Sequence, residues 1–559
     1  MKKVLWCIFF MMLMACLLLP VSAVENAEVT KGEQVAADAA KMTFSTDGST
    51  CEAVCPVHGT SVTWTPLTPG EAIILSADTH YYLTDSVTNS KVRFTAPNKW
   101  NQYACLHLNG KSITNTAGTV FVGKNGQLHV MGDGEVKGGA TAENAGATVS
   151  ISCGGSYGAI NLYGGTYSKY DPASLANTIG VGYNGGILSV YSGATVKSGS
   201  NGSAVYMRGE MAYVHATFNL YGGTIDATDS TEVAIDTEAV ADGHAKNLTV
   251  NMYAGTVKNG SNSYGGNIML RNHVTFNMYG GTIEGGKAAK SGGNIAVYGG
   301  AVMNMYGGIV SCGTADSGGG NIYLTNYVTD TKKSMAVLNM SGGTITGGTA
   351  VNGGNVLLYN QTAMNMTGGV VEKGTAEQTG GNIGAKLAST ATKEQYARFS
   401  FENAIIREGK TLTSGNSYGG GNLSVRRGNV TIGEGVQILD GHTAARGGNI
   451  QLMRGTIVMT GGTVSGGIAD QTTGYGEVHL EGGSTTDMSV FYVLGGRIEG
   501  RETENGDVRV NAYSRMYLGG NAVVTDSKTE IYEVRVYSSG KLFVCDGWKG
   551  SARANFSDS

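Results

Sequence analysis

The first residues able to do chemistry are Cys51, Cys55 and His58, in the run Cys51-Glu-Ala-Val-Cys55-Pro-Val-His58. Thiolate and imidazole are ligands that suit zinc, and Cys-x3-Cys-x2-His gathers three of them on a short piece of chain. A structural site needs a fourth ligand, and His80 is the nearest candidate. Two other readings of the same residues stay open: a Cys51–Cys55 disulfide, as an exported chain permits, or two free thiols. Cys105, Cys153, Cys312 and Cys545 are scattered, so no disulfide framework is spelled out.

A second set is charged. Arg208, Asp236 and Arg271 recur at one position of successive repeats, and the densest acidic run surrounds Asp236, with Glu238 and His244 close by. An acid between two arginines on a sheet face is where a glycan could be cleaved. It is also how a sheet pairs charges across strands. Pairing with arginine would hold Asp236 ionised and make it a poor general acid. Between residues 261 and 430 the only aspartates are Asp316 and Asp330, so no clustered calcium-binding carboxylates stand there.

Two further columns recur. Tyr163, Tyr191, Tyr221, Tyr253, Tyr279 and Tyr306 each precede a small-residue pair, usually Gly-Gly. A stacked aromatic stripe could bind sugars or simply stiffen a sheet. Asn267, Asn294, Asn321, Asn355, Asn382, Asn422 and Asn449 each follow Gly-Gly, at spacings of 27, 27, 34, 27, 40 and 27. Stacked at one corner, they would pass amide hydrogen bonds from repeat to repeat. The same position reads Glu477, Asp507 and Glu533 near the end of the chain. Stacked carboxylates repel, so that corner is expected to open to solvent.

These columns need an element that repeats, and the sequence supplies it. Asn277-Met-Tyr-Gly-Gly-Thr recurs with small changes at Asn161, Asn219, Asn251, Asn304, Asn339 and Asn365. Each repeat holds about three short runs of two-residue alternation with no helical period, which predicts strand–corner–strand coils. Stacked coils make a right-handed parallel β-helix, an all-β solenoid of about 16 rungs. The Asn-Met-Tyr column is expected to run through His107, His129, Asn161 and Ser189 to Glu402, Thr431, Val458, Tyr492, Met516 and Phe543. Ile268, Leu270, Ile295, Val297, Ile322, Leu324, Val356 and Leu358 should point inward.

Composition agrees. Gly is 88 of 559 residues without a triplet period, hydrophobic residues are 41% and prolines number six. That combination excludes collagen and disorder and suits ladders. A net charge of −4 with 15% charged residues carries no footprint for nucleic acid. Residues 1–23 read as a signal peptide: Lys2 and Lys3, an apolar run, then Ser22-Ala23 as a cleavage site, giving a mature start near Val24. Residues 24–50 read as a flexible leader, 51–79 as the Cys/His knuckle and N-terminal cap, 80–550 as the β-helix and 551–559 as a tail. No later stretch is apolar enough to span a bilayer.

The knuckle, the run Val62-Thr-Trp-Thr-Pro-Leu67, Tyr81-Tyr-Leu83 and Leu106-His-Leu-Asn-Gly-Lys-Ser-Ile113 together resemble large secreted β-helix proteins of gut Firmicutes. Those belong to the pectate-lyase-like, right-handed β-helix superfamily. The resemblance spans about residues 51 to 550 and implies fold rather than reaction. The expectation is a secreted or cell-surface bacterial protein, adhesin-like, non-catalytic and monomeric, holding structural zinc and meeting extracellular glycans or a host surface. The alternative is a polysaccharide lyase or glycoside hydrolase acting near Asp236.

Overall fold

A computed structural model of the chain describes residues 21–557 except 68–69, 71, 89–91, 140–146, 152–157, 183–184, 210–214, 240–247, 327–334, 388–391, 416–417, 471–475, 501–506 and 527–531. His244, Cys153 and most of the expected signal peptide therefore lie outside the described residues.

The protein is a right-handed parallel β-helix. A middle rung shows how the sequence builds it. Ile295–Tyr298, Val302–Met305 and Ile309–Ser311 each pair in parallel with the corresponding strands one rung before and after. Alternation sends Ile295, Val297, Met303, Met305 and Val310 inward, all wholly buried. The same holds for Ile268, Leu270, Ile322, Leu324, Val356 and Leu358, which stack rung on rung along the tube. A fourth strand, Thr314–Gly318 in the next segment of chain, joins a separate eight-stranded parallel sheet running from Ser261–Tyr264 to Ile468–Ala469. That small sheet lies beside the outer face of the strands that carry Met269, Ala296, Tyr298, Tyr323 and Leu357, which form their own apolar cluster with Tyr264 and Tyr359.

Corners need glycine where rungs approach. Gly308 has φ +83°, and a Cβ there would lie 2.6 Å from the Met278 side chain and 2.8 Å from the Gly281 carbonyl. At the other corner the Gly-Gly-Asn asparagines are buried. The first six each donate an amide to the asparagine of the next rung, from Asn267 through Asn294, Asn321, Asn355, Asn382 and Asn422 to Asn449, at 2.6–2.8 Å. Each also accepts a glycine N–H, such as Gly313 to Asn321 at 2.9 Å, and donates to a backbone carbonyl, such as Asn321 to Thr346 at 2.9 Å. The amides are fully used, so their burial is compensated.

The carboxylates that replace asparagine are buried too. Glu477 and Asp507 are wholly enclosed and Glu533 is 4% exposed, contrary to the solvent-exposed corner expected from repulsion. Glu477 accepts from Asn449 at 2.5 Å and from the Gly467 N–H at 2.8 Å. Glu533 accepts from Arg553 Nε at 2.7 Å. Backbone and side-chain donors thus accompany the burial of Glu477 and Glu533.

Registers and boundaries differ from the sequence reading in several places. The Asn-Met-Tyr column holds eighteen strands in register, beginning Trp64, His80, Cys105, His129 and ending Val458, Tyr492, Tyr517, Phe543. Cys105, Ser400 and Tyr517 occupy the places expected of His107, Glu402 and Met516. The coil starts with the strand Ser61–Leu67, inside the expected cap, and the strand Ala554–Ser557 extends it into the expected tail. Residues 24–50 are not a free leader: helix α1, Val21–Lys41, crosses the expected cleavage site and packs Val35 and Ala39 against the tube, followed by Phe44. His107 Nε2 meets the Ala39 carbonyl at 2.8 Å, satisfying one of the carbonyls that end the helix.

Candidate metal centre and the faces beside it

Strand β1 (Cys51–Val54) turns back antiparallel on strand β2 (Ser61–Leu67), and the tight turn between them holds Cys55 and His58. The Cys55 N–H donates to the Thr60 carbonyl at 2.8 Å, and the Cys55 carbonyl accepts from the His58 and Gly59 N–H groups at 3.2 and 2.7 Å, closing that turn. β2 is the first strand of the Asn-Met-Tyr column, so the next two rungs present His80 and Cys105 directly beside the turn.

Cys55, His58, His80 and Cys105 bring one ligand atom each to within 4.8 Å of one another. The thiol sulfurs are 4.0 Å apart, and His58 Nδ1 lies 3.2 Å from His80 Nε2 and 3.2 Å from Cys55 Sγ. Cys105 Sγ lies 3.9 Å from His58 Nδ1. A tetrahedron with metal–sulfur bonds of ~2.3 Å and metal–nitrogen bonds of ~2.05 Å has edges of roughly 3.8 Å (S–S), 3.3 Å (N–N) and 3.6 Å (S–N). The donor set fits a tetrahedral Cys2His2 structural metal site. Cys55, His80 and Cys105 are buried, the Tyr103 ring sits 4.1 Å from His58, and Trp64 and Phe44 pack around the cluster. His129, in register after Cys105, is buried behind it, and burial together with His58 pushes its imidazole down to about 4.

The hydrogen bond from Cys105, and then those from His58 and His80, pull the Cys55 thiol far below its ordinary range. Burial, and then Cys55, push the Cys105 thiol up. One thiolate is thus already favoured, and a metal ion would ionise the other.

Cys51 is not among the four. It faces Trp64 across the β1–β2 pair, is a free thiol like Cys55, and burial raises its thiol pKa. Sequence spacing found two of the ligands and named His80. Cys105 was missed because it lies fifty residues from Cys55 and is joined to it only by rung stacking.

The charged set is rearranged. Asp236 stands in register with Tyr206 and Met269, and Glu238 stands opposite Arg208. Arg271 Nη2 still reaches Asp236 Oδ1 diagonally at 3.4 Å, and Tyr206 donates to Glu238 at 2.6 Å. Burial raises the Asp236 carboxyl from its ordinary 3.8 to about 6, outweighing Arg271, with Glu238 and Glu232 pushing the same way. The expectation that arginine holds it low is therefore corrected.

The six tyrosines form one ladder of nearly parallel rings, with centroids 4.2–5.0 Å apart and interplanar angles of 4–14°. Helix α1 covers the first part: Tyr163 and Tyr191 are buried, and the Gly32 Cα approaches the Tyr191 ring too closely for a side chain. Tyr221, Tyr253 and Tyr279 are half-buried and Tyr306 is 49% exposed. Stacking consumes the ring faces and leaves edges to solvent, save at Tyr306, whose neighbour on the next rung is Ser341. Beside the rings a second amide ladder faces outward, in which Asn251, Asn277, Asn304, Asn339 and Asn365 each donate at 2.9 Å to the asparagine of the rung before.

Among the described residues no helix is long and apolar enough to cross a membrane. Comparison of the chain with protein-family models, with curated proteins and with solved structures finds no match.

Proposed function

We propose that the chain is an exported bacterial β-helix, secreted or held at the cell surface, that presents one long flat sheet face to extracellular glycans or a host surface. The observation that carries this reading is the outward Asn ladder and the tyrosine edges beside it, a regular row that α1 covers only at its start. Fixed amides and phenol edges on successive rungs, ~4.8 Å apart, are a rigid hydrogen-bonding array. The ion in the Cys2His2 cluster is zinc, and its role is to pin the antiparallel knuckle to the first rungs. Export rests on Lys2, Lys3 and the apolar run that follows. Descent from the pectate-lyase-like superfamily belongs to the same reading, and the chain acts as a monomer.

A panel of purified polysaccharides, scored for retention and for cleavage, tests it. Retention without cleavage is expected, weakened several-fold by Tyr306→Ala, which removes the one open ring face. No retention on any glycan refutes it.

A second reading has one observation in its favour. A carboxyl raised to about 6 holds its proton in mildly acidic solution and keeps a fraction of it toward neutrality, as a general acid needs. On that reading the chain is a carbohydrate-active enzyme with Asp236 as acid, and Glu238 and Arg271 beside it. Depolymerisation of a panel member, abolished in Asp236→Asn, would establish it.

A further inference from the structure

Several arginines that are buried or half-buried on this fold are paired with a carboxylate. Arg271 meets Asp236, Arg427 meets Asp487 at 3.1 Å, and Arg446 meets Glu481 at 3.4 Å. Arg426 differs from these three. It is half-buried on the outer face of the strand Leu423–Ile432, and among the described residues it has no carboxylate partner. Its charged neighbours make this worse, since Arg427 and Arg454 repel it. On the preceding rung, in register, stands Lys386, also without a carboxylate partner among the described residues. Desolvating a guanidinium beside two like charges is costly unless an anion compensates it.

The surroundings form a pocket. Arg426 and Lys386 make one wall, Asn352, Gln378 and Thr379 of the small sheet make the facing wall, and Tyr418 and Ser424 line the rest. Ala385 and Met453 are the apolar part of its lining. The pocket therefore combines two cations that lack carboxylate partners among the described residues with amide and hydroxyl groups.

We infer that this pocket binds an anionic substituent of a glycan, a sugar carboxylate or sulfate ester, with Arg426 forming the paired hydrogen bonds and Lys386 supplying a second charge. This deepens the glycan-binding reading above and rests on it. Guanidinium is matched to a planar carboxylate by its two parallel N–H donors, whereas lysine offers only a point charge.

Three polymers with one backbone provide the test: dextran, carboxymethyl-dextran and dextran sulfate. The full-length chain is expected to bind one or both charged polymers and not dextran. Arg426→Gln should weaken that binding roughly ten- to hundred-fold, while Lys137→Gln, an exposed cation elsewhere, should leave it unchanged. Carboxymethyl-dextran bound more tightly, and lost in Arg426→Lys, identifies the carboxylate; dextran sulfate bound more tightly identifies the sulfate ester. Should Arg426→Gln fail to fold, Lys386→Gln carries the test, with loss expected and no loss overturning the proposal. Absence of binding to both charged polymers overturns it, as does equal weakening by Lys137→Gln. Retention of neutral glycans alone would leave the display reading standing and remove this one.

Discussion

Replacing Asp236 by Asn should stabilise its rung, by an amount that depends on pH. The Asp236 side chain is 14% exposed, and burial sets its carboxyl at about 6 against 3.8 in water. Below pH 3.8 folded and unfolded chains both carry the proton, so the substitution is neutral. Between 3.8 and 6 the folded state holds a proton that the unfolded state has lost, and stability falls as pH rises. Above 6 the ionised carboxylate carries its full desolvation cost, about 3 kcal/mol at ~1.36 kcal/mol per pH unit. Arg271 is 29% exposed and stays solvated without its partner, so little offsets the gain. A solenoid opens in segments, so the local quantity is the one to measure. Hydrogen exchange of the peptide covering Ile235–Ala239, followed by mass spectrometry, reads it. The variant should be protected roughly a hundredfold more at pH 8 and equally at pH 4. Greater exchange in Asp236→Asn at pH 8, or the same difference at both pH values, would refute the reasoning.

Two more expectations follow from the tube and its cap. Metal analysis should find one zinc per chain in the wild type and in Cys51→Ser, and none in Cys105→Ser; zinc retained in Cys105→Ser removes the site. Leu324→Asp places a charge among side chains with no exposure and no partner, and should cost several kcal/mol, on the order of 3–5, seen as loss of soluble folded protein or a large fall in denaturant midpoint.

The tube was legible in the sequence because corners and alternation are local signals, repeated until their period is plain. Two of the misreadings share a physical cause. Strands face their side chains with a period of two, so a register error of one residue is obvious and an error of two is invisible to alternation. Placing His107 where Cys105 stands is such a slip, and so is setting Asp236, rather than Glu238, opposite Arg208. Both errors kept every apolar residue inward and moved a functional side chain along the strand. His80, Cys105 and His129 are spaced 25 and 24 residues apart, close to the repeat length, and that spacing was the signal available for the missing ligand. The burial of Glu477 was hidden differently, because one of its partners is the Gly467 N–H, a backbone group that no sequence displays.

The two asparagine ladders run in opposite senses. The buried one donates forward, from Asn267 toward Asn449, and the outward one donates backward, from Asn365 toward Asn219. Each ladder is a one-way chain of dipoles, and neighbouring amides in such a chain polarise one another. A rung joining either end must arrive with its amide already turned the right way, so every rung acts as a mould for the next. A forward-donating chain also has to finish on a group that accepts without passing anything on. At Glu477 the amide series ends: its carboxyl accepts from Asn449, and a carboxyl has no N–H to hand to the next rung.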